Sequence, residues 1–76
     1  MAKPQEIQIV AEMVANVISI EVAAGDPVAV GDTVIWLESM KMEIPVIAEH
    51  AGTVRGTFVT PGDVVQEGDV LLSFTL

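Results

Sequence analysis

The 76-residue sequence has no cysteine, only three aromatic residues and few basic side chains. The absence of cysteine excludes disulfides and cysteine-based metal sites. Three Lys and Arg residues stand against eleven Asp and Glu residues, so the formal net charge is −8 at pH 7. Because nucleic acids and anionic membrane surfaces bind basic residues, we expect neither to be a partner of this acidic chain.

Long apolar runs are also missing, although 51% of the residues are hydrophobic. The longest strictly apolar run covers residues 34–37, which is too short to span a bilayer or to form the centre of a signal peptide. We therefore expect a cytoplasmic protein. The length allows one small domain, predicted at residues 6–76, preceded by a flexible N-terminal tail at residues 1–5.

The chain contains an internal repeat with a period of 37 residues. Eleven of the 34 positions from Glu6 to Ser39 recur identically 37 residues later, including the motif Gly-Asp-x-Val-x-x-Gly-Asp at 25–32 and 62–69. Glycine tolerates positive φ and the following Asp caps a turn, so each motif predicts two turns around a very short strand. Two copies are too few for a solenoid, so repeats 6–39 and 43–76 should close on each other about a pseudo-twofold axis.

The remaining sequence has the alternation of β-strands, and no segment shows helical spacing with caps. The repeated pair Val17 and Val22 breaks this alternation, which predicts a bulge between them. We expect strands near residues 6–11, 16–22, 28–30, 33–39, 42–48, 53–59, 65–67 and 70–75. The predicted fold is all-β, a flattened eight-stranded antiparallel barrel-sandwich of two pseudo-twofold-related four-stranded halves.

The two repeats are connected by Met40-Lys41-Met42. The strands on either side should pair as a hairpin with Lys41 at its tip. Tight hairpin turns favour Asn-Gly or Asp-Gly because their central residues take positive φ, so Met-Lys is a poor choice. A local rule broken within an otherwise consistent fold indicates a functional site. Lys41 is also the only lysine within residues 6–76.

This boundary resembles the biotin-attachment motif of biotin carboxyl carrier proteins and carboxylase biotinyl domains, in the run Glu38-Ser39-Met40-Lys41-Met42-Glu43. The resemblance extends from about residue 6 to residue 76 and includes both Gly-Asp motifs. It implies the short, single-domain form of the family without a thumb, because residues 22–28 leave no room for the protruding thumb of some bacterial carriers. Lipoyl domains share the fold but usually carry Asp-Lys-Ala or similar at the turn, so methionine on both sides of the lysine favours biotin.

The resemblance implies a role for each residue of the motif. Lys41 would hold covalent biotin through an amide, made by a biotin protein ligase that supplies the activation the amine lacks. Met40 and Met42 would be recognised by the ligase. Glu38 would be recognised as well, since it matches the family's acidic residue that helps separate biotinylation from lipoylation. For Glu43, ligase recognition and a purely solubilising charge both stay open.

The implied function is that of a carrier with no catalytic activity of its own, monomeric by itself. Biotin on Lys41 would carry an activated carboxyl group, as carboxybiotin, from a biotin carboxylase to a carboxyltransferase acting on an acyl-CoA. One alternative is a lipoyl carrier of a 2-oxo acid dehydrogenase or of the glycine cleavage system. Another is an unmodified barrel-sandwich interaction module. The sequence does not distinguish a carboxylase from a decarboxylase system.

Trp36 is the one site candidate outside the motif. Its neighbours Ile35 and Leu37 match apolar residues in the second repeat, whereas Trp36 matches Ser73. We therefore expect Trp36 to face outwards near the hairpin, as a partner contact or as a cover for a thin core. His50 is the only histidine, and no catalytic or metal-binding set can be assembled around it.

Overall fold

The computed structural model describes residues 5–76, whose regular structure consists of eight β-strands. They are β1 (Glu6–Val10), β2 (Ala15–Ile20), β3 (Pro27–Val28), β4 (Thr33–Ser39), β5 (Met42–Ile47), β6 (Gly52–Thr57), β7 (Val64–Val65) and β8 (Val70–Thr75). All eight predicted strands are present, with boundaries within two residues of those expected. Within this part of the chain no helix is long and apolar enough to cross a membrane.

The strands form two four-stranded antiparallel sheets, with the orders β1-β8-β6-β3 and β5-β4-β2-β7. Strands that are equivalent in the two repeats are β1 and β5, β2 and β6, β3 and β7, and β4 and β8. Replacing each strand by its equivalent converts the first strand order into the second. The pseudo-twofold axis therefore relates one sheet to the other, which confirms the predicted barrel-sandwich. Each sheet takes two strands from each repeat, so neither repeat forms a sheet by itself.

The Gly-Asp turns connect each repeat to the other. Their four glycines have φ between 93° and 96°, and each aspartate accepts a hydrogen bond of 2.8 to 2.9 Å from the N–H three residues earlier. The N–H of Gly62 donates to the carbonyl of Val17, whose own N–H donates to the carbonyl of Asp63, and equivalent bonds join the first repeat's turn to Val54. Because each repeat supplies the turn that binds the other's strand, we infer that the two copies fold as one unit.

The core lies between the sheets and follows the repeat. Among residues 5–76, twelve of the thirteen buried apolar residues form six pairs separated by 37 positions, and the thirteenth, Ala15, has Gly52 as its equivalent. The buried residues are Ala11, Ala15, Val17, Val28, Val34, Ile35, Leu37, Ala48, Val54, Val65, Leu71, Leu72 and Phe74. The chain therefore builds one core from two copies of the same apolar pattern.

The predicted bulge is present in β2. The pairing of β2 with β4 shifts register between Val17 and Ser19, and β6 shifts at the equivalent place between Val54 and Gly56. Because of this shift, Val17 is buried in the core and Val22, five positions further on, also packs against it. Of the predicted N-terminal tail, residues 1–4 lie outside the described residues. Gln5 is described, and its carbonyl accepts a 2.9 Å hydrogen bond from the N–H of Leu76.

Candidate functional site

The hairpin between the two repeats ends in a two-residue turn. Strands β4 and β5 pair as far as Ser39 and Met42, which leaves Met40 and Lys41 as the turn. Their φ angles are 54° and 64°, so both lie in the left-handed region that a type I′ turn requires. A left-handed conformation costs a residue other than glycine about 1–2 kcal/mol. Met40 and Lys41 therefore adopt the positive φ angles that methionine and lysine disfavour, as predicted from the sequence of the turn.

Replacing Met40 with asparagine should stabilise the protein. Asparagine adopts the left-handed conformation more readily than methionine, and the Met40 side chain is 91% exposed, so little packing is lost. We expect Met40→Asn to raise the free energy of unfolding by about 0.5–1 kcal/mol in urea denaturation. Met42→Asn is the matched control, because Met42 is also exposed but lies in β5 without a positive φ. Equal stabilities for the two variants would contradict strain at the turn.

The tip presents one amine between two apolar side chains. Lys41 is exposed, and Met42, on its far side, is 66% exposed. Neither methionine belongs to the buried core, so their apolar surfaces are available to another molecule. Lys41 is the only lysine among residues 5–76. An exposed primary amine at the end of a paired hairpin is accessible for covalent attachment of a group.

Two carboxylates lie directly behind the turn on adjacent strands. Glu38 of β4 is paired with Glu43 of β5, and like charges directly opposite each other destabilise a sheet. Glu38 is also paired with Asn16 of β2, which is paired in turn with Val64 of β7. These four residues form one row across the outer face of the sheet, next to Lys41. The hairpin thus combines an unfavourable charge pair with an unfavourable turn.

Trp36 lies in β4, two residues before the motif begins at Glu38. Its pairing partners are Ser19 on one side and Pro45 on the other. It is half-buried, whereas Ile35 and Leu37 are almost completely buried, which confirms the predicted orientation of this strand. Its role as a partner contact stays a prediction.

His50 is exposed. Across residues 5–76 no group of three or more His, Cys, Asp or Glu side chains is arranged to hold a metal ion.

A groove of about 320 Å³ adjoins the tip. Its lining includes Lys41 and is completed by Val14, Ala15, Asn16, Glu38, Ser39, Met40 and Val64. Val14 and Val64 are distant in sequence from the motif and are not among the predicted site residues. Their repeat equivalents are Ala51 and Pro27, but most aligned positions differ between the repeats, so this difference did not mark them.

Comparison with known proteins decides the family. A family model described as "Biotin-requiring enzyme" matches residues 1–74. The chain belongs to the biotin/lipoyl attachment family. It is 51% identical over 61 residues to the "Biotinylated protein TB7.3 homolog" of Mycobacterium leprae, covering 80% of this chain and 86% of that protein. It is 45% identical over 64 residues to the "Biotin/lipoyl attachment protein" of Bacillus subtilis, covering 84% and 88%.

A solved structure in the same family is part of a much larger enzyme. A single-chain, multi-domain long-chain acyl-CoA carboxylase contains a region that superposes on this chain with a TM-score of 0.88 and 33% identity. The match covers 99% of this chain and 7% of that one. The chain described here is therefore a biotinyl domain, a carrier domain homologous to those of carboxylases.

Proposed function

We propose that this biotinyl domain holds biotin as an amide on Lys41 and conveys a carboxyl group between a biotin carboxylase and a carboxyltransferase that acts on an acyl-CoA. The observation that carries the proposal is the tip of the hairpin. There the single lysine of the described residues is exposed in a strained turn between two exposed methionines. The acyl-CoA acceptor is supported by the likeness to a long-chain acyl-CoA carboxylase.

Attachment requires an enzyme, because the free carboxyl group of biotin does not acylate an exposed amine until the ligase has activated it. In the proposed reaction Nζ of Lys41 attacks the acyl carbon of biotinyl-adenylate on a biotin protein ligase. The new C–N bond forms, AMP leaves, and the amine gives up a proton. Met40, Met42, Glu38 and Glu43 are proposed as the residues that the ligase recognises, since all four are exposed around the amine.

The domain contributes to carboxyl transfer by tethering the biotin and positioning it. Biotin, once bound, supplies a ureido nitrogen that accepts and releases the carboxyl group. The two-sheet core holds the hairpin rigid, so that motion is confined to the long arm at Lys41. A tether of this kind makes transfer between two sites effectively intramolecular, at a local concentration in the millimolar range. Cytoplasmic location, a monomeric state and a partner contact at Trp36 belong to the same proposal.

The proposal is tested by modification with competing ligases. The chain is co-expressed with a biotin protein ligase or with a lipoyl ligase, and its intact mass is measured. We expect a biotin-sized gain with the first and little or no gain with the second, because Met40 and Met42 flank the lysine. A lipoyl-sized gain alone would favour the lipoyl carrier, a possibility kept open by the name of the Bacillus subtilis relative. No gain with either ligase would favour an unmodified interaction module.

A further inference from the structure

Methionine side chains are exposed on both sides of Lys41. The sequence has no cysteine, so all of its sulfur atoms belong to methionines. Three methionines lie within residues 5–76, and their side chains are 91% exposed for Met40, 66% for Met42 and 37% for Met13. Susceptibility to oxidants follows exposure, and the chain has no thiol that would react first. Oxidation within the described residues should therefore begin at the two methionines that flank the lysine.

The fold does not depend on apolar side chains at these two positions. Neither Met40 nor Met42 belongs to the buried core or to the partly buried residues that pack against it. A shift of 37 residues places Gln5 at the position of Met42, and Gln5 is exposed as well. A polar side chain is thus present at the corresponding position before β1. We therefore expect the domain to stay folded when Met40 and Met42 become polar.

We propose that Met40 and Met42 are a reversible oxidation site that controls the biotinylation of Lys41, an inference that rests on the proposed function. The oxidant is a peroxide. The thioether sulfur attacks one oxygen of hydrogen peroxide, so that an S–O bond forms and the O–O bond breaks, and the second oxygen leaves as water with both protons. Sulfur loses two electrons and the peroxide gains them. Methionine sulfoxide reductases return the product to methionine.

The sulfoxide changes the surface that a ligase contacts around the amine. In the reduced domain Lys41 lies between two apolar side chains, and oxidation makes each of them polar and chiral. A ligase that covers the tip would remove the sulfoxide oxygens from water without a hydrogen-bonding partner, which is unfavourable. The amine of Lys41 is not altered by this reaction. Peroxide therefore stops the attachment of new biotin without destroying the acceptor, and reduction restores it.

The test oxidises the full chain before it meets the ligase. Unmodified chain, freed of biotinylated molecules on streptavidin, is treated with dilute hydrogen peroxide, and catalase then removes the peroxide. Peptide mass gives the sulfoxide at each position, and we expect Met40 and Met42 to react at least about twofold faster than Met13. The initial rate of modification by a biotin protein ligase should fall about tenfold. Treatment with two methionine sulfoxide reductases, one for each epimer, should restore the rate.

Two variants locate the effect, each compared with its own untreated sample. Met13→Leu should lose rate on oxidation as the wild type does, whereas the double variant Met40→Leu/Met42→Leu should show no effect of peroxide, because leucine is not oxidised. Circular dichroism should show that the oxidised wild type stays folded. An unchanged rate for chain carrying both sulfoxides, or a loss of rate that persists in the double variant, would overturn the oxidation site. Failure of the ligase to modify the reduced chain would instead contradict the proposed function.

Discussion

Lys41→Arg is expected to abolish biotinylation completely while the domain stays folded. Arginine keeps the positive charge and the length of the side chain, but its guanidinium is always protonated and is not an acyl acceptor under these conditions. Because the Lys41 side chain is exposed, the substitution leaves the core untouched. Co-expression with a biotin protein ligase should give no biotin-sized mass gain for this variant, against full modification of the wild type.

Lys3→Arg is the matched control, because it removes the other lysine of the sequence and should leave the mass gain intact. Native electrophoresis provides a second measurement, since acylation of Lys41 makes the domain one unit more negative than its formal −8. Urea denaturation of both variants should match the wild type within about 0.5 kcal/mol, the usual range for surface substitutions. A biotin-sized gain that persisted in Lys41→Arg would disprove attachment at the hairpin.

Much of the fold was predictable because the chain records the same pattern twice. The repeated Gly-Asp motifs gave the turns and the very short strands, and the irregular spacing of Val17 and Val22 gave the bulge. The distribution of strands between sheets was not predictable in this way. A period indicates that two halves are related, but it does not say that each sheet takes two strands from each half. That arrangement depends on long-range hydrogen bonds, such as those between Val17 and the Gly62 turn.

The site was predictable where it is contiguous in sequence and not where it is assembled by the fold. Met40 and Lys41 were selected because they violate a turn preference, and their positive φ angles bear this out. Val14 and Val64 meet beside them only because β2 pairs with both β4 and β7. Since β7 has two residues, its partner cannot be read from hydrophobic alternation.

The second prediction with a large effect concerns the stability of the protein and the position Gly52, whose equivalent in the first repeat is Ala15. Gly52 begins β6, opposite Val28 of β3, and does not have a positive φ. A Cβ built on Gly52 would overlap the carbonyl oxygen of Thr75 and lie 2.9 Å from Cδ2 of Phe74. The equivalent Ala15 carries its methyl group without difficulty. There the neighbouring strand has Leu37 where β8 has Phe74. Glycine therefore occurs in the half with the bulkier phenylalanine, and alanine in the half with the leucine.

Gly52→Ala should therefore destabilise the protein strongly. The added methyl group meets backbone on one side and a fully buried ring on the other, and neither can move without disturbing the core. Overpacking of this kind costs about 1–3 kcal/mol, and the backbone contact places Gly52 at the upper end of that range. For a domain of this size we expect the melting temperature to fall by about 10 °C or more.

Gly56→Ala distinguishes this steric effect from any general effect of adding a methyl group to β6. No atom lies within 4 Å of a Cβ built on Gly56, and its φ is not positive. The stability of the Gly56→Ala variant should stay within about 0.5 kcal/mol of the wild type, or rise slightly because alanine restricts the unfolded chain. Thermal unfolding followed by circular dichroism measures both variants, and equal melting temperatures would contradict the contact with Thr75 and Phe74. Since Gly52 is not part of the hairpin, the folded fraction of Gly52→Ala should still accept biotin. Gly52→Ala should therefore lose stability but keep modification, whereas Lys41→Arg should lose modification but keep stability.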